Sequence, residues 1–142
     1  MKKRDQLFVY GSLRRGFHHP AYQYISSHFS FVAMGKATGV LYDMGVFPAA
    51  KATNEESFII GELYVIKAEH EFDWAIAQLD DYEGVNPEEN HPSLYRRELA
   101  EVRLDNGKKT TAWMYWFSGD VTGKPVIESG DSLQYFHAKT QH

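Results

Sequence analysis

An Asn-Gly dipeptide between two long runs of β-prone residues is the feature that most constrains this chain. Tyr95 to Leu104 and Thr110 to Ser118 flank Asp105-Asn106-Gly107. Asn-Gly suits the positive backbone angles of a tight hairpin turn, so the two runs predict antiparallel neighbours. Side chains alternate along a strand. Trp113, Tyr115 and Phe117 therefore share one face, and Ala112, Met114 and Trp116 share the other.

The rest of the chain supplies partners for that hairpin. Gln6 to Tyr10 predicts a strand that stops at Gly11, and Arg14-Arg15-Gly16 continues as loop. Pro20 opens a short helix with Ala21, Tyr24, Ile25 and His28 on one face. Phe29 to Tyr42 reads as strand with bends, Asp43 to Asn54 as a loop, and Phe58 to Ile66 as a second clear strand. The strongest helix runs from Glu69 to Tyr82. Phe72, Ile76 and Leu79 share a face there, joined by Ala75 and Tyr82, and Gly84 ends it. Val85 to Ser93 holds two prolines, two Asn and two Glu, which predicts a loop. Beyond Gly119 the tail is polar, with Ile127 and Tyr135-Phe136 as anchors. Strands, one main helix and then a hairpin predict an α+β fold.

With 142 residues, the chain is expected to form a single domain over 1–142. Cysteine is absent, which excludes thiol catalysis, thiolate metal sites and disulfides and fits a reducing cytoplasm. No apolar run approaches the roughly 20 residues of a membrane span. Leu7-Phe8-Val9-Tyr10 is too short for the core of a signal peptide. A net charge of −4, with Arg14-Arg15, Arg96-Arg97 and Lys108-Lys109 scattered, makes no footprint for nucleic acid. Aromatic residues reach 15%, a share that β-rich cores absorb.

Two segments bear on chemistry. Tyr10-Gly11-Ser12-Leu13 ends a strand in Gly-Ser, where successive backbone N–H groups can hold a carboxylate or an oxyanion. The same residues also suit an ordinary strand-to-loop turn. No Gly-Lys-Ser/Thr follows, so this is not a phosphate-binding P-loop, and Gly-x-Ser-x-Gly is absent. Asp80-Asp81-Tyr82-Glu83-Gly84 places three carboxylates at the end of a helix, where the macrodipole disfavours anions. A carboxylate held there and partly buried is pushed toward its neutral form, which suits a general base near neutral pH. A solvated acidic helix end is the alternative. The histidines are dispersed, without His-x-x-x-His spacing, and nothing selects a Ser-His-Asp triad.

Taken together and in order, these pieces resemble a known family. Phe8 to Gly16 (Phe-Val-Tyr-Gly-Ser-Leu-Arg-Arg-Gly) is similar to the opening signature of the γ-glutamylcyclotransferase-like (AIG2-like) family. Gly39 to Ala49, Gly61 to Ile66, Leu79-Asp80-x-x-Glu83-Gly84 with Tyr95-x-Arg97, Ala112-x-x-Tyr115, and Ile127 to Asp131 resemble its later segments. The likeness covers roughly residues 6 to 136.

The resemblance implies a small mixed, partly closed β-barrel with flanking helices. It also implies a reaction, in which the α-amine of a γ-glutamyl group attacks its own γ-carbonyl, forms 5-oxoproline and releases an amine or amino acid. By the same resemblance Tyr10, Gly11, Ser12 and Leu13 hold the substrate, and Glu83 is the general acid/base. Tyr95, Arg97 and Tyr115 are further pocket candidates. Arg97 either pairs with a substrate carboxylate or is a strand-face cation beside Glu101. The reaction requires no metal and no organic cofactor. Glutathione, γ-glutamyl amino acids, γ-glutamyl-ε-lysine and γ-glutamylated amines all remain open as substrates, with the 85–94 loop shaping the leaving-group side. Expected partners are a small γ-glutamyl molecule and at most a second copy, as monomer or homodimer, with no nucleic acid and no membrane. The rival readings are a non-catalytic ligand-binding or regulatory module on the same fold, and amide hydrolysis or transfer at the same site.

Overall fold

The computed structural model describes residues 5–11, 20–45, 47–53, 55–83 and 95–139, and for residues 20, 21, 82, 83 and 139 the backbone alone. The elements run β1 (Gln6–Val9), α1 (Pro20–His28), β2 (Phe29–Thr38), β3 (Val40–Asp43), β4 (Pro48–Lys51), β5 (Phe58–Ile66), α2 (Phe72–Glu83), β6 (Tyr95–Leu104), β7 (Lys109–Phe117) and α3 (Ser132–Lys139). A 3-10 turn, Glu69–Glu71, leads into α2.

The Asn-Gly hairpin forms as expected. β6 and β7 pair from Tyr95 opposite Phe117 to Arg103 opposite Lys109. Gly107 takes φ +89° at the turn, and Lys108 N–H donates to the Asn106 side-chain oxygen at 2.9 Å. The hairpin is part of a closed barrel in the order β1-β5-β2-β6-β7. β1 is antiparallel to β5 and closes the barrel through a parallel pair, Leu7 opposite Trp113. Gln6 secures that seam, its side-chain amide donating to Thr110 Oγ1 at 2.8 Å and to the Thr111 carbonyl at 3.1 Å. The expectation of a mixed barrel with flanking helices therefore holds, and the barrel is closed.

Strand alternation divides the core in two. Phe8, Ala37, Leu63, Val102, Ala112, Met114 and Trp116 cluster on one side of the barrel wall. Leu7, Val9, Tyr64, Tyr95, Tyr115 and Phe117 face the other way, onto Ile25 of α1 and Phe72, Ala75, Ile76 and Leu79 of α2. The helix face expected from the 3.6-residue period is thus the covered one. β3 and β4 form a separate two-stranded ribbon, Val40 opposite Lys51 through Asp43 opposite Pro48.

The structure corrects the sequence expectations in three places. The segment expected as a loop from Asp43 to Asn54 contains β4. Proline there opens the strand, a position that needs no N–H donor, and burial of Ala49 and Ala50 compensates their poor β propensity. The long strand expected over Phe29 to Tyr42 is two strands, broken at Gly39, where an added Cβ would stand 2.6 Å from Ile59 Cδ1. The polar tail carries α3, whose Tyr135 and Phe136 pack on the second cluster beside buried Ile127. Gly84, the Val85 to Ser93 segment and His18-His19 lie outside the described residues. Among the described residues no helix is long and apolar enough to cross a membrane.

Two glycines test this packing. Gly107 and Gly130 both have positive φ, +89° and +70°. A Cβ at Gly107 would meet nothing within 4 Å, whereas one at Gly130 would stand 1.9 Å from the Phe58 carbonyl oxygen. Gly107→Ala should cost only the left-handed backbone penalty, about 1–2 kcal/mol. Gly130→Ala should cost clearly more, because backbone must move, and urea denaturation of the two variants will rank them.

Candidate functional site

The end of β1 supplies the first wall of the site. Tyr10 is buried, and its hydroxyl donates to the Tyr115 carbonyl of β7 at 2.5 Å. Its own carbonyl accepts a hydrogen bond from the hydroxyl of Ser132, at the start of α3. The chain leaving β1 is therefore gripped from β7 and α3 just before Gly11. Gly11 allows close approach and is not in a left-handed conformation, since an added Cβ would sit a tight 3.3 Å from Pro48 Cγ. Ser12 and Leu13 lie outside the described residues.

Pro48 reaches Gly11 because the β3–β4 turn is built around a carboxylate. Asp43 accepts from the Gly45 N–H at 2.7 Å and from the Tyr135 hydroxyl at 2.9 Å, and Gly45 takes φ +102°. Met44 N–H closes the turn on the Phe47 carbonyl at 3.1 Å. The Pro48 carbonyl then accepts the Tyr95 hydroxyl at 2.9 Å. Tyr95 itself sits in an aromatic group with Phe47 and Phe117, at ring centroid distances of 6.3 Å and 5.5 Å.

The third wall is the C-terminal turn of α2. Phe72, Ala75, Ile76 and Leu79 form its buried row, and Asp80 lies in that row, only 4% exposed. The Arg97 guanidinium meets it in a two-pronged pair, Nε to Oδ1 at 2.7 Å and Nη2 to Oδ2 at 3.0 Å. The Tyr115 hydroxyl adds a third bond to Oδ1 at 2.9 Å. Arg97 also stacks on Trp113, with its guanidinium carbon 4.4 Å from the ring centroid. The partner of Arg97 is thus Asp80 and not Glu101, whose nearest cation is Lys109 Nζ at 3.9 Å. Glu83 is the last residue of α2, one turn beyond Asp80. α1 is tied to the same helix by the Tyr24 hydroxyl on the Ala75 carbonyl at 3.1 Å, and burial pushes the Tyr24 phenol up.

Of the residues singled out from sequence, Tyr10, Gly11, Tyr95, Arg97, Tyr115 and the backbone of Glu83 come from four elements joined by this network. Sequence reading missed Asp80 as the hub, and Pro48 and Ser132 as anchors of Tyr95 and Tyr10. One signal for Asp80 was present. It stands eight residues after Phe72 and four after Ile76, inside the apolar row, where a carboxylate requires a buried cation. Among the described residues no group of three His, Asp or Glu side chains is arranged to hold a metal ion.

Comparison with known proteins matches residues 7–134 to the family described as "Gamma-glutamyl cyclotransferase, AIG2-like". A Methanocaldococcus jannaschii protein named "Putative gamma-glutamylcyclotransferase" is 33% identical over 135 residues, which cover 92% of this chain and 98% of that protein. Among solved structures, the mouse AIG2-like protein superposes with a TM-score of 0.66 at 22% identity, over 87% of this chain and 86% of its own. YkqA from Bacillus subtilis gives a TM-score of 0.72 at 22% identity over 97% of this chain, which spans 43% of that longer protein. Both structural likenesses speak to the fold.

The network makes a prediction about stability. Arg97→Met leaves the Asp80 carboxylate buried without its cation and should destabilise the protein by about 3–5 kcal/mol. Tyr10→Phe removes one neutral hydrogen bond and should cost about 1 kcal/mol. Adding Asp80→Asn to Arg97→Met should recover part of the loss, which a double-mutant cycle by chemical denaturation will measure.

Proposed function

The chain belongs to the gamma-glutamyl cyclotransferase, AIG2-like family, and from that premise we propose that it is an enzyme converting a γ-glutamyl compound to 5-oxoproline and a free amine or amino acid. The α-nitrogen of the γ-glutamyl group attacks the γ-carbonyl of the same residue. A C–N bond forms, a five-membered ring closes, and the bond to the original amide nitrogen breaks. The α-nitrogen gives up a proton as it attacks, and the leaving nitrogen gains one. In this reading Glu83 carries that proton.

The observation that carries the proposal is the hydrogen-bonded link between the two segments the chemistry needs. Tyr10, at the mouth of the proposed substrate loop, bonds to Tyr115, and Tyr115 bonds to the turn of α2 that ends at Glu83. A reaction whose nucleophile is tethered to its electrophile asks the protein mainly to fold the substrate and hold a base beside it. In the proposal, N–H groups of the segment Gly11 to Leu13 stabilise the oxyanion of the tetrahedral intermediate, an effect worth a few kcal/mol per donor. Tyr95, through its bond to the Pro48 carbonyl, keeps the ribbon against Gly11. A cysteine-free chain suits a reducing compartment, and the proposal places the reaction in the cytoplasm.

A mass-spectrometric product assay tests this reading. Incubation with glutathione, γ-glutamyl amino acids, γ-glutamyl-ε-lysine and γ-glutamyl amines should release 5-oxoproline from at least one. Glu83→Gln should abolish release while leaving the circular dichroism spectrum and melting temperature close to those of the parent. Free glutamate in place of 5-oxoproline would mean hydrolysis. Thermal stabilisation by the compounds without any product would mean a binding module.

A further inference from the structure

Asp80 poses a question that stability does not answer. A buried ion pair generally contributes no more than a well-packed apolar pair of similar size, and often less. Asp80 nevertheless occupies a position in the apolar row of α2 where leucine or methionine would pack, and its side chain is 6% exposed. What an ion pair of this geometry adds is direction. Apolar contact lets a helix slide or roll by fractions of an ångström at little cost. A two-pronged guanidinium–carboxylate pair has a fixed plane and a fixed distance, so it resists both movements.

The partners make that restraint specific. Arg97 comes from β6, and its guanidinium lies over the ring of Trp113 of β7. Tyr115, also of β7, donates to the same carboxylate oxygen as Arg97 Nε. The Tyr115 backbone carbonyl is the acceptor for Tyr10. One residue thus ties the last turn of α2 and the start of the Tyr10-Gly11 loop to the same point on the barrel. Glu83 follows Asp80 by three residues and ends the helix, whose last turn carries no basic side chain of its own.

We propose that Asp80, Arg97 and Tyr115 form a positioning cluster that sets the Glu83 turn of α2 in register with the Tyr10-Gly11 loop, and that Arg97 and Tyr115 serve the reaction in this way and not as ligands of the substrate. The inference rests on the reading of Glu83 as the proton carrier. It differs from the simpler assignment of Arg97 to a substrate carboxylate, because the Nε–Nη2 edge of the guanidinium is already engaged by Asp80. The three residues are positioning residues, and their loss should weaken turnover without weakening binding.

The experiment compares turnover with product binding. Variants Asp80→Asn, Arg97→Lys and Tyr115→Phe are assayed for 5-oxoproline release on the best compound of the wild-type panel. Their affinity for 5-oxoproline itself, which retains the α-carboxylate, is measured by calorimetry. Misplacement of a catalytic group by about 1 Å costs on the order of 100-fold, so Asp80→Asn should lower kcat by about that factor while KM and the 5-oxoproline Kd stay within about threefold. Arg97→Lys keeps the charge and loses the fork. It should recover much of the melting temperature lost in Arg97→Met and little of the kcat. Tyr115→Phe keeps the ring and should fold, with kcat about ten- to a hundredfold lower and KM unchanged, the loss of one hydrogen bond to a charged carboxylate.

Three results would overturn the proposal. In the first, Arg97→Lys loses 5-oxoproline binding tenfold or more, which makes Arg97 a substrate ligand. In the second, Asp80→Asn and Tyr115→Phe fold and turn over at the wild-type rate while Glu83→Gln is inactive, which leaves the functional reading intact and removes the positioning role. In the third, the wild-type protein makes no 5-oxoproline from any compound, which overturns the functional reading and this inference with it.

Discussion

The buried carboxylate of Asp80 docks the main helix against the region where the proposed chemistry would occur. Asp80 sits among apolar side chains on the covered face of α2, and a charge in that setting must be met by hydrogen bonds and a counter-charge. Arg97 and Tyr115 meet it from the paired strands β6 and β7. Their pairing opposite each other in the ladder places guanidinium and phenol on one side of the hairpin, where both reach the same oxygen. The docking of α2 is therefore set by directional bonds as well as by the packing of Phe72, Ile76 and Leu79.

The same face of the hairpin connects to the rest of the site through other single contacts. Phe117 and Tyr95 extend the row to Phe47 of the β3–β4 turn, and the Tyr95 hydroxyl fixes the Pro48 carbonyl. Pro48 lies against Gly11, which leaves no room for a larger residue without movement. Tyr10 is gripped through its hydroxyl by β7 and through its carbonyl by Ser132. The β3–β4 turn, β7 and α3 thus each contribute one contact to the surroundings of Tyr10-Gly11. A chain held at this point by so many partners has a fixed backbone geometry there, which the proposed binding by backbone groups requires.

Local rules were enough for much of this. Asn106-Gly107 dictates a tight hairpin whatever surrounds it, and the period of two then sorts Trp113, Tyr115 and Phe117 from Met114 and Trp116. The apolar row of α2 follows from a period of 3.6 residues. Pro20 opens α1 as expected. Even the candidate site residues Tyr10, Gly11, Tyr95, Arg97 and Tyr115 stood out by residue type and by family resemblance. β4 and α3 did not, because Ala49 and Ala50 disfavour a strand by themselves and the polar residues near Ser132 give no clear period, so both elements take their conformation from burial against others.

By itself, then, the sequence determined the hairpin, the main helix, the division of strand residues between two faces and the family to which the chain belongs. Each of these rests on spacing or on residue order. Only the tertiary structure decided that the barrel closes through Leu7 and Trp113, that Pro48 approaches Gly11, and that Arg97 spends its charge on Asp80. Those pairs are joined across long stretches of chain, 17 residues for Arg97 with Asp80 and 105 for Tyr10 with Tyr115. No local period encodes such a partner. An arginine on a strand and an aspartate on a helix acquire each other only when the fold brings both to one place, where the carboxylate is cut off from water and must be met by a charge.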